Sequence, residues 1–290
     1  MKPAAFDYHV PAEVDEAVDL LGELGDEAKV LAGGQSLVPM LALRLAVFDH
    51  LVDLRGLAGL RGIEERDGRL WIGARTTQAE IGRSPHVAEA APLLTRATPL
   101  IGHFQIRNRG TIGGSLAHAD TAAEYPAVAL ALDAEIEARS PSGTRTIPAT
   151  GFFTDIYTTD LAPDELLTGI SFPVRGERCG HAIEEFARRR GDFAVAGTAV
   201  AVELDESSRV RRCAIAVLGL GPTPCRVTRA EDELTGAAVA DIEPQEVGRL
   251  AMAELDAIPA DLHGSAGYRR RIGVTVTARA WRRAAEEAAR

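Results

Sequence analysis

Residues 29–37, KVLAGGQSL, place a glycine pair between two apolar segments. Residues 29–32 predict a short strand and residues 37–45 a helix, so Gly33 and Gly34 lie in a strand-to-helix turn. Glycine lets the backbone take conformations closed to other residues and lets a ligand approach it closely. Because free amides at a helix start favour anions, the turn can bind a phosphate, with Ser36 as a cap or a further donor. A lone G-G-x-S pattern is also typical of a simple tight turn, and both interpretations stay open here.

The sequence on either side of this turn predicts a small parallel sheet. A strand at residues 6–10, apolar residues at helical spacing between Val14 and Leu24, and a strand at residues 50–54 complete a β-α-β-α-β pattern. From about Leu57 the pattern changes and indicates a second, larger lobe of mixed structure. The elements predicted for that lobe are strands at residues 68–74, 130–138 and 168–174 and helices at residues 78–81 and 92–104.

A turn-rich polar break at residues 173–180, PVRGERCG, indicates a domain boundary. The first domain then covers residues 1–176, with lobes at about 1–55 and 56–176. The second domain covers residues 177–290 and is smaller. Its predicted elements are strands at residues 194–204 and 210–219 and helices at residues 243–257 and 266–289. The predicted fold class is α+β: a two-lobed first domain followed by an antiparallel sheet packed on helices.

A second glycine pair lies in residues 111–120, TIGGSLAHAD, after the polar stretch 107–111. Two glycine-rich anion sites in one domain suit a ligand whose pyrophosphate is held from both sides, and a dinucleotide is the simplest such ligand. Asp120 and Glu124 follow closely and could accept hydrogen bonds from ribityl or ribose hydroxyls, although exposed loop acids or a helix N-terminal charge would look the same. Neither glycine segment has the G-x-G-x-x-G or Walker pattern.

Composition limits the classes of function. The formal net charge of -10 over 290 residues argues against binding to nucleic acid or to an acidic membrane surface. No run approaches the roughly 18 apolar residues of a membrane span, and the expected location is cytoplasmic. The three cysteines, Cys179, Cys213 and Cys225, lack C-x-x-C spacing, so we expect no metal or iron–sulfur site in this chain.

Four segments together are similar to one known family. They are AGGQSL at residues 32–37, QIRNRGTIGGSLAHAD at 105–120, AAEYPAVALALDAEI at 122–136 and RRRGDFAVAG at 188–197. They resemble the FAD-binding medium subunit of the molybdenum hydroxylases, the family of xanthine dehydrogenase, carbon monoxide dehydrogenase and nicotine dehydrogenase. The resemblance covers nearly the whole chain.

The resemblance implies a set of FAD-contacting positions. The first glycine turn would hold the pyrophosphate, and the second would complete the grip. Glu124 would contact the sugar-alcohol chain of the flavin, and Ile101, Leu167 and Phe193 would lie beside its ring. The full set of implied cofactor-binding residues is Ala32, Gly33, Gly34, Gln35, Ser36, Leu37, Ile101, Thr111, Gly113, Gly114, Ser115, Glu124, Leu167 and Phe193.

Two of these positions depart from the pattern of some relatives. Phe193 replaces a tyrosine, which puts any role of that hydroxyl in doubt, and plain core packing is the alternative for this residue. Gln35 replaces a histidine. Because the turn would hold the ligand through its backbone amides, this change of side chain should be tolerated.

The resemblance also implies a division of labour among subunits. A large subunit would carry the molybdenum cofactor, a small subunit two [2Fe-2S] clusters, and this chain FAD, in what would be a dimer of heterotrimers. This chain would pass electrons from the clusters to an external acceptor, with no catalytic acid or base of its own. Two alternatives stay open: a self-contained FAD-dependent oxidase or reductase, and a non-redox dinucleotide-binding or scaffolding module. The sequence does not reveal the substrate of the complete enzyme or the final acceptor.

Overall fold

The computed structural model describes residues 2–290. Its first lobe consists of β1 (Asp7–His9), α1 (Val14–Leu24), β2 (Ala28–Leu31), α2 (Leu37–Leu43) and β3 (His50–Asp53). The three strands pair in parallel in the order β1-β3-β2. Helix α1 covers this sheet because its Ala17, Val18 and Leu21 recur at helical spacing and are buried. The predicted β-α-β-α-β lobe is therefore confirmed.

The second lobe is built on a five-stranded sheet of order β4-β5-β10-β6-β7, in which neighbouring strands are antiparallel. Short helices cover this sheet and join its strands. The elements are β4 (Ile63–Arg66), β5 (Arg69–Gly73), α3 (Gln78–Arg83), α4 (Pro85–Ala90), α5 (Pro92–Ala97), α6 (Phe104–Arg107), α7 (Ile112–His118), α8 (Glu124–Ala131), β6 (Glu135–Ser140), β7 (Gly143–Pro148), α9 (Ala149–Phe152), β8 (Phe153–Asp155), β9 (Thr158–Thr159) and β10 (Leu166–Pro173).

The C-terminal part is an antiparallel four-stranded sheet with helices on one face. The sheet has the order β11-β12-β13-β14. The elements are β11 (Cys179–Phe186), β12 (Ala196–Leu204), β13 (Val210–Leu218), β14 (Cys225–Arg226), α10 (Thr228–Leu234), α11 (Pro244–Ala253) and α12 (Ala266–Ala288). This arrangement confirms the predicted α+β fold. The connection from β10 to β11 contains the predicted boundary after residue 176, which stays a prediction.

The two faces of the C-terminal sheet differ in what covers them. Ala182, Val200 and Val202 belong to one core cluster together with Trp281 of α12. The opposite face presents mostly small residues to the second lobe, where they join that lobe's core: Ala199, Ala201, Ala214 and Ala216, together with the larger Leu218. Helix α8 lies against this face, and all eight of its residues are buried. Small side chains on the sheet let the helix approach closely, so α8 is enclosed on every side.

A charge cluster ties the same two parts together. Asp133, in the turn after α8, has φ 51° and accepts hydrogen bonds from Arg175 (2.7 Å), Arg226 (2.7 Å) and Arg212. Arg226 also donates to Glu231, at 2.9 Å. One aspartate of the second lobe thus holds three arginines, which lie in the connection and in the C-terminal sheet.

Two local expectations were wrong, and two elements near the site were missed. The helix predicted over residues 92–104 ends at Ala97 and restarts at Phe104, because Gly102 (φ 45°) turns the chain between α5 and α6. The strand predicted over residues 130–138 begins only at Glu135, since residues 124–131 form α8. Helix α7 and strand β11 were not predicted at all.

Candidate functional site

The first glycine turn presents free backbone amides. Gly34 has φ 71°, a conformation that glycine adopts without strain, and it reverses the chain between β2 and α2. Gln35 Nε2 donates to the Gly33 carbonyl oxygen at 3.0 Å and stiffens the turn. Within residues 2–290, the amides of Gly34, Gln35, Ser36 and Leu37 donate to no protein acceptor, and Ser36 makes no side-chain cap. Successive unpaired amides in a half-buried turn form a cradle for an anion.

The second glycine pair lies in the first turn of α7 and not in a loop. Thr111 is the N-cap of this helix, and its Oγ1 accepts a hydrogen bond from the Gly114 amide at 3.1 Å. The Ile112 amide donates to the Thr76 carbonyl oxygen at 3.1 Å, and the Gly113 amide to that of Ala74 at 2.9 Å. These amides at the start of α7 are therefore already hydrogen-bonded within the protein. The groups that remain for a ligand are the hydroxyls of Thr111 and Ser115.

The two glycine segments touch each other. A Cβ on Gly33 would collide with the Arg109 carbonyl oxygen and come within 2.8 Å of the Gly110 Cα. A Cβ on Gly114 would lie 3.4 Å from the Ala32 Cβ, and one on Gly113 only 2.6 Å from the Ala74 Cβ. Glycine at residue 33 thus permits contact between two protein segments, whereas the sequence suggested that it admits a ligand. The contact brings the amide cradle and the start of α7 to one place.

Replacing Thr111 by valine tests how much the α7 cap matters. Valine keeps the shape but cannot accept the Gly114 amide, so we expect the free energy of unfolding to fall by about 1 kcal/mol. Because the start of α7 borders the cradle, affinity for FAD, the ligand that the resemblance implies, should fall as well. Thermal unfolding and FAD titration measure the two effects, and Thr111→Ser, which keeps the hydroxyl, is the matched control. If Thr111→Val showed wild-type values in both measurements, the Thr111 cap would contribute nothing to the site.

Glu124 is the first residue of α8, and its side chain is buried, with 9% of the residue exposed. Burial, together with the neighbouring acids Glu185 and Asp120, raises the pKa of this carboxyl to about 8. The structure thus excludes the alternative of an exposed surface acid at residue 124. The Asp120 carboxylate already takes part in a local hydrogen bond, since its Oδ1 accepts from the Ala122 amide at 2.9 Å. A protonated Glu124 can donate a hydrogen bond to a ligand oxygen as well as accept one.

The three apolar positions differ in exposure. Ile101 and Leu167 are 9% and 4% exposed, whereas Phe193 is 73% exposed. Core packing, the alternative for Phe193, is therefore excluded. Its loop lies against the turn that follows Ile101, because a Cβ on Gly191 would meet the His103 ring at 2.6 Å.

The turn after Ile101 is held by an arginine and borders a cleft. Arg107 Nη1 donates to the carbonyl oxygens of Ile101 (2.8 Å) and Gly102 (2.9 Å), which fixes the turn. A surface cleft of about 390 Å³ lies beside it, lined by Gly102, His103, Phe104, Gln105, Arg107 and Arg190. The loop that carries Phe193 thus also borders this open, basic cleft, through Arg190.

Two kinds of feature are absent from residues 2–290. No group of three or more histidine, cysteine or acidic side chains is arranged to hold a metal ion. No helix in this part of the chain combines the length and apolar character that a bilayer span requires. The free thiols of Cys179, Cys213 and Cys225 form no disulfide.

One position near the site was missed by the sequence reasoning. Glu185 on β11 lies close enough to Glu124 to raise its pKa, and burial raises the pKa of Glu185 itself to about 7. The available signal was the pair of adjacent acids near the end of residues 179–186, but this segment was not recognised as a strand.

A cradle of free amides closed against a capped helix suits a phosphate-containing ligand, and the same lobe carries the buried Glu124 carboxyl. Two family models match the chain: the FAD binding domain in molybdopterin dehydrogenase over residues 4–175, and the CO dehydrogenase flavoprotein C-terminal domain over residues 181–284. The chain belongs to the family of FAD-binding medium subunits of the molybdenum hydroxylases.

Individual relatives agree with this assignment. The chain is 42% identical to the 6-hydroxypseudooxynicotine dehydrogenase complex subunit alpha of Paenarthrobacter nicotinovorans, over 96% of this chain and 94% of that one. It is 40% identical to the carbon monoxide dehydrogenase medium chain of Hydrogenophaga pseudoflava, over 93% of each. The solved structure of carbon monoxide dehydrogenase from the same organism superposes with a TM-score of 0.95 over 99% of both chains, at 39% identity. The recognised family and fold are confirmed.

Proposed function

We propose that this chain is the FAD-carrying electron-transfer subunit of a molybdenum-containing hydroxylase or dehydrogenase. The observation that carries the proposal is the junction of the two glycine segments, where Gly33 packs against Arg109 and Gly110 and is followed directly by the free amides of residues 34–37. The residues present fit FAD, because the cradle suits a pyrophosphate and the nearby carboxyl suits a sugar-alcohol chain. Bound flavin exchanges electrons singly or in pairs, which lets a one-electron donor serve a two-electron acceptor.

Each predicted site residue has a role in this proposal. The backbone of Ala32–Leu37 binds the pyrophosphate, and Thr111 and Ser115 complete the contact with their hydroxyls. Gly113 and Gly114 allow α7 to pack on Ala74 and Ala32. Glu124 hydrogen-bonds the sugar-alcohol chain. Ile101 and Leu167 exclude water from the flavin ring, and Phe193 shields its open side.

The partners follow from the relatives, which are medium or alpha subunits of dehydrogenase complexes. We propose that a large subunit with the molybdenum cofactor and a small subunit with two [2Fe-2S] clusters assemble with this chain as a dimer of heterotrimers, in the cytoplasm. Electrons would enter from the nearer cluster and leave to an external acceptor. A self-contained flavin enzyme is not favoured, because the relatives act as parts of complexes.

The substrate lies outside this chain. Proteins similar to it belong to complexes named for carbon monoxide, nicotine, caffeine and glyceraldehyde. A conserved type of flavin subunit beside such different substrates is consistent with substrate choice in the large subunit.

Purification from the native host tests the function. We expect the chain to co-purify with a large and a small subunit, with flavin absorbance and the broad absorbance of iron–sulfur clusters. The isolated chain should take up FAD and oxidise no candidate substrate on its own. Turnover by the isolated chain would favour the self-contained enzyme, and a colourless chain that takes up no FAD would refute the proposal.

A further inference from the structure

Neighbouring acids on β11 point to opposite faces of the sheet. Ile183 and Glu185 share one face, and Ile183 belongs to the core of the second lobe. Glu184 points the opposite way and pairs with Arg283 of α12. Since side chains alternate along a strand, Glu185 points toward the lobe that contains the glycine segments. The C-terminal part thus places a carboxyl at the seam with the first domain.

Glu185 has no partner there among residues 2–290. Its Oε2 is buried and makes no hydrogen bond. The residue opposite it on β12 is Gly197, which has no side chain to offer a donor. Arg96, on the helix α5 that packs on β11, is occupied by Glu287 and the His181 carbonyl oxygen. A buried carboxyl with an unpaired oxygen is costly in the free chain, and it points to a missing hydrogen-bond partner.

Glu124 lies on the other side of the seam. Within residues 2–290 its carboxyl makes no hydrogen bond to another residue, and the charged groups that act on it are the acids Glu185 and Asp120. Glu185 thus lies near enough to act on the charge of Glu124, and these two acids from different parts of the fold are called the carboxyl pair below. A neighbouring like charge favours the protonated form of a carboxyl.

We propose that Glu185 is a further cofactor-contacting residue, and that the carboxyl pair donates a hydrogen bond from Glu185 to an oxygen of the bound FAD. The inference rests on the proposed function, and it adds a contact from the C-terminal part. The pair holds its proton near neutral pH, because burial raises the pKa of Glu185 to about 7 and that of Glu124 to about 8.

This arrangement gives FAD binding a definite pH dependence. The protonated pair is the form that donates, so binding should be strongest below the two raised pKa values and should weaken as the pH rises through them. If complex formation requires one proton, affinity falls by up to about tenfold per pH unit above that range. FAD affinity of the full chain can be measured by quenching of flavin fluorescence between about pH 6 and about pH 9.

Two variants and a matched control test the contribution of Glu185 to FAD binding. Glu185→Ala should weaken FAD binding about tenfold at about pH 6, because a hydrogen bond to the cofactor is lost. Glu185→Gln keeps a donor but cannot titrate there, so it should bind nearly as the wild type at about pH 6 and lose less affinity as the pH rises. Glu184→Gln, the neighbouring acid on the other face, should match the wild type throughout.

The possible outcomes separate the two levels of the proposal. A wild-type chain that takes up no FAD at any pH overturns the proposed function and this inference together. A wild-type chain that binds FAD, with Glu185→Ala and Glu185→Gln showing unchanged affinity and an unchanged pH profile, overturns the role of Glu185 alone. Circular dichroism checks folding, and the near-isosteric glutamine variant keeps the test decisive if the alanine variant does not fold.

Discussion

Gly33→Ala is expected to weaken FAD binding about a hundredfold or more, which corresponds to roughly 3 kcal/mol. One added methyl group would collide with the Arg109 carbonyl oxygen and crowd the Gly110 Cα, which is backbone that no side-chain rotation can move away. The two glycine segments would have to separate, and the amides of residues 34–37 would lose their position relative to α7. The free energy of unfolding should fall by about 2–3 kcal/mol, as for other overpacked sites.

FAD titration and urea unfolding measure these two effects. The matched control is Gly59→Ala, where an added Cβ meets no atom within 4 Å. It should leave both quantities unchanged. Full FAD occupancy in Gly33→Ala would show that the junction of the two segments does not form the binding site.

The second large effect concerns the arginine cluster. Asp133→Asn should lower the free energy of unfolding by about 2–3 kcal/mol, since Arg175, Arg212 and Arg226 would lose their shared carboxylate. Asparagine tolerates the positive φ of residue 133, so the substitution removes charge without straining the turn. The effect stays below that of a fully buried pair because the Asp133 side chain is 37% exposed, and solvent screens part of the interaction.

Urea unfolding checks this prediction, with Asp232→Asn on the exposed side of α10 as the control. An unchanged midpoint for Asp133→Asn would mean that the cluster contributes nothing to the contact between the two parts. A midpoint that shifts equally in the control would mean that any loss of negative charge has this effect.

The sequence predicted those parts of the fold where local pattern and environment agree. The first lobe followed from the helical spacing of Ala17, Val18 and Leu21 and from short apolar strands on either side. The family and its FAD-binding character followed from motifs in four segments, which periodicity alone does not supply.

Other parts depended on contacts that are distant in the chain. Helix α7 contains Gly113 and Gly114, which lower helix propensity, but packing on Ala74 and the Thr111 cap stabilise it. Strand β11 contains His181, Glu184 and Glu185, whose polar side chains conceal its alternation. Helix α8 is apolar on all sides and lacks the periodicity of a surface helix, so its Leu130 and Ala131 were assigned to a strand.

The candidate site shows the same limit. Which glycine admits a neighbouring segment and which one reverses the chain depends on φ and on the atoms nearby, and the letters G-G specify neither. The meeting of Glu124 with Glu185 depends on how the C-terminal sheet lies on α8, which no short motif records.

The burial of helix α8 on every side affects how the chain folds during its synthesis. During synthesis the segment that supplies its cover, residues 196–218, leaves the ribosome well after α8 itself. Until then the first domain exposes an uncovered apolar helix beside its cofactor site. The two regions that match separate family domains therefore depend on each other for folding. An N-terminal fragment made by cutting the chain between them would aggregate before it could retain flavin.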